Sequence, residues 1–240
     1  SIGYLEDIFA QAFAGDGTPL FTPGKVRVNY KRELRQDHVA AVQVGPMTFA
    51  AASARYSESN WSPMHISIRK LTLSVDGESG LWTFLGEPYK DDVIITEEGS
   101  PEDPAIATDG NIILVCWKAL ANVHCQPLAM DLQFAGAAFT VEKLGYPEYP
   151  TLAARESGSF LLAYDQIPDF GDGDLRGVAL HQLDGSGKNL FPSILANWTV
   201  AGAQSDPILA PISLSELIVI GWTSNGQDGD GDGIVFRILD

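Results

Sequence analysis

The apolar residues of this chain fall into short runs that are separated by polar turns. Runs such as Ile112–Val115 and Leu217–Ile220 are apolar at every position, which is typical of β-strands that are covered on both faces. The runs are short, rich in β-branched residues and bounded by Gly, Pro and Asp, so a helical interpretation fails. The pattern predicts an all-β protein.

These runs recur as a repeated unit. Each copy opens with a small turn, continues through two apolar strands, and adds a third strand after a loop. The residues that open the copies are Asp37, Asp103, Tyr149 and Asp206, and the aromatic residues that end the second strands are Trp117, Tyr164 and Trp222. The third strand Gly177–Asp184 matches Gly233–Asp240, and the N-terminal Asp7–Phe13 has the same pattern. We therefore expect the chain to begin part-way through a unit.

Units of this length that form small antiparallel sheets are typical of β-propeller blades. We predict one small β-propeller domain over residues 1–240, with four blades or five, closed into a ring by pairing of the N- and C-terminal segments. An insertion at about residues 72–100 follows the third strand of the first copy. It either enlarges one blade or contains a degenerate fifth blade.

The C-terminal copy carries a family resemblance. Trp222-Thr223-Ser224, Gly226–Gly231 and Gly233–Arg237 resemble repeats of large bacterial surface and secreted proteins, which read W-x-S-x-G-Q-D-G-D-G and then G-I-Y-A-Q-R-F-D. The N-terminal Asp7–Pro19 is similar to the continuation of that repeat. The resemblance implies an extracellular β-propeller-like module of the kind found within adhesins and surface assemblies. It implies no reaction.

The charge balance restricts the partners. The chain has 31 acidic and 15 basic residues and a net charge of −16. Such a surface repels phosphate backbones and anionic lipid heads, so we expect no nucleic acid partner and no direct membrane insertion. Divalent cations are the natural counter-charge, although this charge also serves solubility.

Two loops carry candidate calcium ligands. Asp228, Asp230 and Asp232 alternate with glycines, so their oxygens can converge as hard cations require. Leu239 stands where an EF-hand has its twelfth-position Glu, so a standard EF-hand is excluded. The equivalent loop of the third copy contains Asp169, Asp172 and Asp174. The alternative for both loops is an ordinary turn, because Asp and Gly favour turns.

The opening residues of the copies form a second candidate site. In a propeller the innermost strands face a central channel, so Asp37, Asp103 and Asp206 could bind a cation or a polar ligand there. Asp before Pro is also a common turn starter, which is the simpler interpretation. Trp117, Tyr164 and Trp222 are either sugar platforms or packing residues between blades, and packing is the usual role of periodic aromatics in a repeat fold.

The chain has two cysteines, Cys116 and Cys125. The short connection between them predicts a hairpin that could place both sulfurs side by side as a cross-strand disulfide. Two buried free thiols are the alternative, because spacing alone does not fix the Cα separation.

These features favour a non-catalytic, calcium-stabilised extracellular interaction module that binds a protein or glycan partner at the cell surface or forms a subunit of a larger assembly. No Gly-x-Ser-x-Gly elbow, phosphate loop or metalloprotease helix occurs. The alternative is a lectin or a glycoside hydrolase that uses the channel face, with Asp37, Asp103, Asp206 and Glu102 as its candidate carboxylates.

Overall fold

The computed structural model is built of β-strands throughout the part of the chain that it describes. The described residues are 8–14, 16–20, 26–27, 35–56, 63–75, 77, 82–85, 93–96, 99–141, 146–166, 176–212, 215–227 and 229–240. Within these ranges no helix is long and apolar enough to cross a membrane. The strands are β1 (Phe9–Ala10), β2 (Val26–Arg27), β3 (Arg35–Gly45), β4 (Thr48–Tyr56), β5 (Pro63–Val75), β6 (Trp82–Leu85), β7 (Val93–Thr96), β8 (Pro101–Thr108), β9 (Ile112–Ala119), β10 (Asn122–Ala129), β11 (Phe139–Thr140), β12 (Pro147–Ala154), β13 (Phe160–Gln166), β14 (Gly177–Leu183), β15 (Ile194–Leu195), β16 (Gln204–Pro211), β17 (Ile218–Asn225) and β18 (Asp232–Leu239).

The chain divides into two compact units, Ser1–Glu102 and Asp103–Asp240. The first unit contains the small β1–β2 sheet and a larger sheet, here called the first sheet, with the order β3-β4-β5-β6. Strand β7 pairs with β5 in this same sheet. Both strands of the predicted insertion, β6 and β7, therefore extend the first sheet, which supports an enlarged blade over a separate one.

The second unit contains three antiparallel sheets. The second sheet has the order β11-β10-β9-β8, the third β12-β13-β14-β15, and the fourth β16-β17-β18. One apolar cluster joins the second and third sheets through residues such as Leu114 and Leu162. Another joins the third and fourth sheets through residues such as Leu180 and Trp222. The third sheet is apolar on both faces because it packs between two other sheets, and this stacking of antiparallel sheets confirms the predicted β-propeller architecture.

The turns that follow the third strands share one hydrogen-bond geometry. The amides of Ala14, Ala129 and Asp184 each donate to the carbonyl four residues later, at 2.8, 2.8 and 3.0 Å. After each turn the chain returns as a two-residue strand that pairs with β1, β10 or β14. In all three cases the pairing ends four residues before the residue that donates the turn hydrogen bond. The N-terminal β1–β2 segment therefore has the geometry of the outer half of a blade, as its sequence match to the third strand predicts.

The opening residues of the copies share a backbone conformation that corrects one alignment. Asp103, Tyr149 and Asp206 have φ angles of 49°, 51° and 53°, and in the first copy it is His38, with φ 47°, that adopts this conformation. The β3–β4 register is interrupted at that residue, between Asp37 and Val39. The prediction that Asp37 is the equivalent of Asp103 was wrong by one residue, because the bulge and not the acid defines the position. The side chain of Asp37 lies outside the described residues.

The aromatic ends of the second strands are buried. Trp117, Tyr164 and Trp222 all lie in the core of the second unit, so they pack between sheets and are not sugar platforms. In the hairpin of β9 and β10, Cys116 lies directly opposite Cys125 with their Cα atoms 4.0 Å apart, and the two are joined by a disulfide.

Two predictions about the whole chain stay predictions. Strand β1 pairs with β2, and β18 pairs with β17, so the expected pairing of the N- and C-terminal segments is not among the pairings of the described strands. The prediction of one domain over residues 1–240 likewise stays open, because the two units are each described by themselves.

Candidate active site

The site is centred on Tyr149, the third residue of β12, which is an edge strand of the third sheet. Asp103 holds the equivalent position in the second sheet and Asp206 in the fourth, and the third sheet packs between these two sheets. Burial of the phenol, followed by the charges of Glu148, Asp103, Asp206 and Asp165, raises the pKa of Tyr149. Tyr149 is 45% exposed, so a polar group with acids around it faces solvent here.

A charged cluster lies next to this position, since its member Glu148 directly precedes Tyr149 in the chain. Arg176 donates from one nitrogen, Nη1, to Glu148 Oε2 at 2.7 Å and to Asp165 Oδ2 at 3.0 Å. Lys118 of the second sheet lies 3.8 Å from Glu148 Oε1. Because both carboxylates bind the same nitrogen, they are held close together, and the contact with Lys118 links the second sheet to the third through Glu148.

Asp165 is the buried member of this cluster. Its side chain is only 1% exposed, and Oδ1 is a buried oxygen that has no hydrogen-bond partner among the described residues. Burial raises the pKa of Asp165 to about 6, because desolvation outweighs the lowering by Arg176, and the charges of Glu148 and Asp206 raise it further. Carboxyl groups displaced in this way are common at functional sites.

A cleft of about 560 Å³ opens beside Tyr149 within the second unit. A volume of this size suits a small organic ligand such as a sugar. The residues that line it are mostly polar: Tyr149, Arg176, Ala203, Ser205, Asp206, Thr223, Asn225 and Asp232. Asp206 accepts a hydrogen bond from Ser205 at 2.8 Å and is exposed, so its carboxylate is accessible to a ligand in the cleft.

Of the predicted calcium ligands, only Asp230 and Asp232 lie in the part of the chain that the structure describes. Asp228 of the C-terminal loop and Asp169, Asp172 and Asp174 of the equivalent loop lie outside the described residues. Asp232 accepts a hydrogen bond from Asn225 at 2.8 Å, and the loop is closed by Gly226 N donating to Gly231 O. No group of three or more His, Cys, Asp or Glu residues able to hold a metal ion occurs in the described ranges. Calcium binding stays a prediction.

Sequence reasoning found Asp103 and Asp206 but missed the charged cluster. Glu148 directly precedes Tyr149, and its place before an opening residue was the one signal available. Asp165 was read only as the start of a loop. Its contact with Arg176 depends on the β13–β14 register, in which Asp165 pairs with Val178, and no spacing rule gives that contact. The structure also joins Asp206 and Asp232, which the sequence assigned to separate sites, in one cleft.

Solved structures with a similar fold are mostly described as glycoside hydrolases. An endo-arabinase from Bacteroides thetaiotaomicron matches with a TM-score of 0.55 and 12% identity, covering 90% of this chain and 82% of its own. The GH93 α-L-arabinofuranosidase of Fusarium graminearum matches with a TM-score of 0.54 and 13% identity, covering 96% of this chain and 73% of its own. The Dos1 propeller matches with a TM-score of 0.50 and 12% identity, covering 97% of this chain, which spans about half (51%) of that protein. At these identities the likeness shows the fold alone.

No protein-family model matches the chain, and none of the curated proteins matches it.

The main functional prediction requires correction. A non-catalytic interaction module was expected from the repeat, the acidic composition and the absence of catalytic sequence motifs. The structurally similar proteins are mostly glycoside hydrolases, which favours the alternative. The physical reason is that the carboxyl groups of the site lie on separate strands, with Glu148 on β12, Asp165 on β13 and Asp206 on β16, so no local sequence motif shows them.

Proposed function

We propose that the chain is a glycoside hydrolase that acts on polysaccharides containing arabinose or xylose. The observation that carries the proposal is the equivalent placement of Asp103 and Asp206 on the two sheets that flank the sheet of Tyr149, together with the Glu148–Arg176–Asp165 cluster next to Tyr149. The sugar classes come from the proteins that share the fold, which include an arabinase and a GH43_1 enzyme in complex with xylotriose.

Hydrolysis of a glycosidic bond needs two carboxyl groups with different tasks. One donates its proton to the glycosidic oxygen as the bond to the anomeric carbon breaks, and the other accepts a proton from the water whose oxygen joins that carbon. Asp206 is exposed in the cleft and accepts from Ser205, so it suits the carboxylate role. Asp103, on the other side of Tyr149, is the partner acid.

The remaining residues of the site have supporting roles. Tyr149 presents an exposed aromatic ring between the two carboxyls, on which a sugar ring can stack. Asp165 is too deeply buried to touch a substrate and acts as a positioning residue that fixes Arg176 and, through it, Glu148. The disulfide between Cys116 and Cys125 supports an oxidising, extracellular location, where such polysaccharides occur.

The test incubates the intact chain with arabinan or xylan and measures the rate at which new reducing ends form. We expect Asp206→Asn and Asp103→Asn each to lower the rate by at least about a hundredfold, since each removes a proton-transfer group. Asp131→Asn is the matched control: Asp131 is exposed, and the hydrogen bond its carboxylate accepts from the Gln133 amide at 3.1 Å can also be accepted by an Asn.

Binding is measured on the same polysaccharides by calorimetry. Binding without release of reducing ends would make the protein a lectin and would refute the catalytic proposal. The absence of both binding and hydrolysis on every polysaccharide tested would refute the proposal as a whole.

A further inference from the structure

A pocket of about 450 Å³ lies between the third and fourth sheets, away from the Tyr149 cleft. Arg155, which lines it, follows the last residue of β12, whereas Tyr149 is near the start of that strand. The pocket and the cleft share no lining residue among the described ones. We call it the arginine pocket after Arg155 and Arg237. Its buried lining comes from the contact between the two sheets and consists of Leu161, Leu180 and Leu239.

Two positive charges line this pocket without a carboxylate partner. Neither Arg155 nor Arg237 forms an ion pair with another residue of the described ranges, although the chain has 31 acidic and only 15 basic residues. Asp240 also lines the pocket but is not paired with either arginine. Both guanidinium groups are therefore available to an anion that enters the pocket.

The hydrogen bonds of the two arginines are incomplete. The Nε atom of Arg155 is buried and has no hydrogen-bond partner among the described residues. Leaving a buried donor unpaired costs free energy that a bound acceptor would restore. The guanidinium of Arg237 is positioned by Trp198, with its central carbon 4.4 Å from the ring centroid. Its Nη1 makes only a long hydrogen bond of 3.4 Å to the Ala196 carbonyl.

The third sheet shows a paired arrangement at the equivalent position. His181 corresponds to Arg237 in the matching third strands, and its Nε2 lies 2.8 Å from the hydroxyl of Tyr164. In the fourth sheet Trp222 replaces Tyr164, and its indole Nε1 is a further buried donor without a partner among the described residues. An indole and a guanidinium both donate and cannot satisfy each other. This face of the fourth sheet therefore has donors in excess of acceptors.

We propose that the arginine pocket binds a small organic carboxylate with an apolar body. The planar guanidinium groups of Arg155 and Arg237 donate to the carboxylate oxygens, whose geometry they match. The apolar body lies against Leu180 and the exposed ring of Phe191, which also line the pocket. A volume of about 450 Å³ suits a ligand of this size. A bare phosphate would use the arginines but leave the apolar lining uncovered. The site is separate from the Tyr149 cleft, so the proposal does not depend on hydrolase activity.

The experiment titrates the intact chain with benzoate and follows the Nε–H resonances of the arginine side chains by NMR. We expect saturable binding in the millimolar range or tighter, with a large shift of the Arg155 Nε–H signal as it gains an acceptor. Benzamide has the same shape without the charge, and inorganic phosphate has the charge without the apolar body, so both should bind at least about tenfold more weakly. The net charge of −16 disfavours non-specific anion binding.

Variants test the two arginines separately. Arg155→Gln and Arg237→Gln should each weaken benzoate binding by about tenfold or more, because each removes a charged donor. Lys188→Gln is the matched control: it removes one positive charge at an exposed residue that does not line the pocket, and binding should be unchanged. Melting curves verify that the variants fold.

Three results would overturn the proposal. The first is a wild-type chain without saturable benzoate binding in the millimolar range. The second is binding of benzamide or phosphate as tight as that of benzoate. The third is a folded arginine variant that binds benzoate as well as the Lys188→Gln control does.

Discussion

The third and fourth sheets are built on one sequence pattern but differ in what covers them. Both have an inner strand with a positive-φ opening residue, an apolar second strand and a matching third strand. In the third sheet, Val178 and Leu180 are buried, whereas the equivalent Ile234 and Phe236 of the fourth sheet are exposed. The two sheets also differ at the end of the second strand, where the third carries the buried Asp165 and the fourth carries Thr223.

The comparison shows that an apolar face is not necessarily a buried face. Apolar side chains on both faces prepare a sheet to be packed on both sides, but a neighbouring sheet has to be present for the burial to stabilise the fold. The third sheet carries the ion pairs of Arg176 with Glu148 and Asp165. The fourth sheet contributes Asp206 and Asp232 to the rim of the cleft.

The largest expected effect tests whether burial distinguishes the two sheets. Leu180→Ala should lower the free energy of unfolding by about 2–4 kcal/mol, because it leaves a cavity in the core. Phe236→Ala at the equivalent position should cost less than about 0.5 kcal/mol at concentrations where the chain is monomeric. Urea denaturation of both variants measures the difference. Equal costs would mean that the outer face of the fourth sheet is packed within the monomer.

The next effect concerns the acid that the third sheet has and the fourth lacks. The pKa of Asp165 is raised to about 6 in the folded state, so between pH 4 and pH 6 the folded chain retains a proton that the unfolded chain has lost. Asp165 therefore lowers stability as the pH rises through this window, by an amount on the order of 2 kcal/mol.

Asp165→Asn should remove this part of the pH dependence. The measurement is the difference in melting temperature between the variant and the wild type at pH 4 and at pH 7, with Asp131→Asn as the control for general charge effects. The stability of the variant relative to the wild type should increase from pH 4 to pH 7. A difference that is flat across the window would show that Asp165 has an ordinary pKa.

The smallest expected effect concerns the C-terminal loop of the fourth sheet. If calcium binds there, chelation should lower the melting temperature by the equivalent of about 1–3 kcal/mol, because a ligand that binds only the folded state stabilises it by mass action. Asp230→Asn should reduce the sensitivity to chelator. If the wild-type melting temperature is unchanged by chelator, this loop is an ordinary turn held by its own hydrogen bonds, such as Asn225 to Asp232.

Local patterns gave much of the fold. The apolar runs predicted the central strands β9, β13 and β17, and the match of Asp7–Phe13 to the third strands predicted the turn geometry that the hydrogen bonds after β1 show. The alignment was wrong at Asp37. The equivalent position is defined by a bulge in the backbone, and the residue at that bulge is His38, whose side chain does not resemble that of Asp103. Of the site, the sequence identified the opening residues Asp103, Tyr149 and Asp206, and it named Asp232 only as a calcium ligand.

The sequence by itself determined the all-β repeat, the acidic surface and the apolar faces of the sheets, because these depend on local periodicity and residue type. Only the tertiary structure decided that Glu148 and Asp165 share Arg176, because this contact depends on strand register and on the packing of successive sheets. It also decided that Asp165 is buried and has a raised pKa while Asp206 remains exposed. Identical carboxyl groups differ in pKa and exposure because they lie at different distances from water and from a cation. The spacing of residues along the chain does not determine either distance.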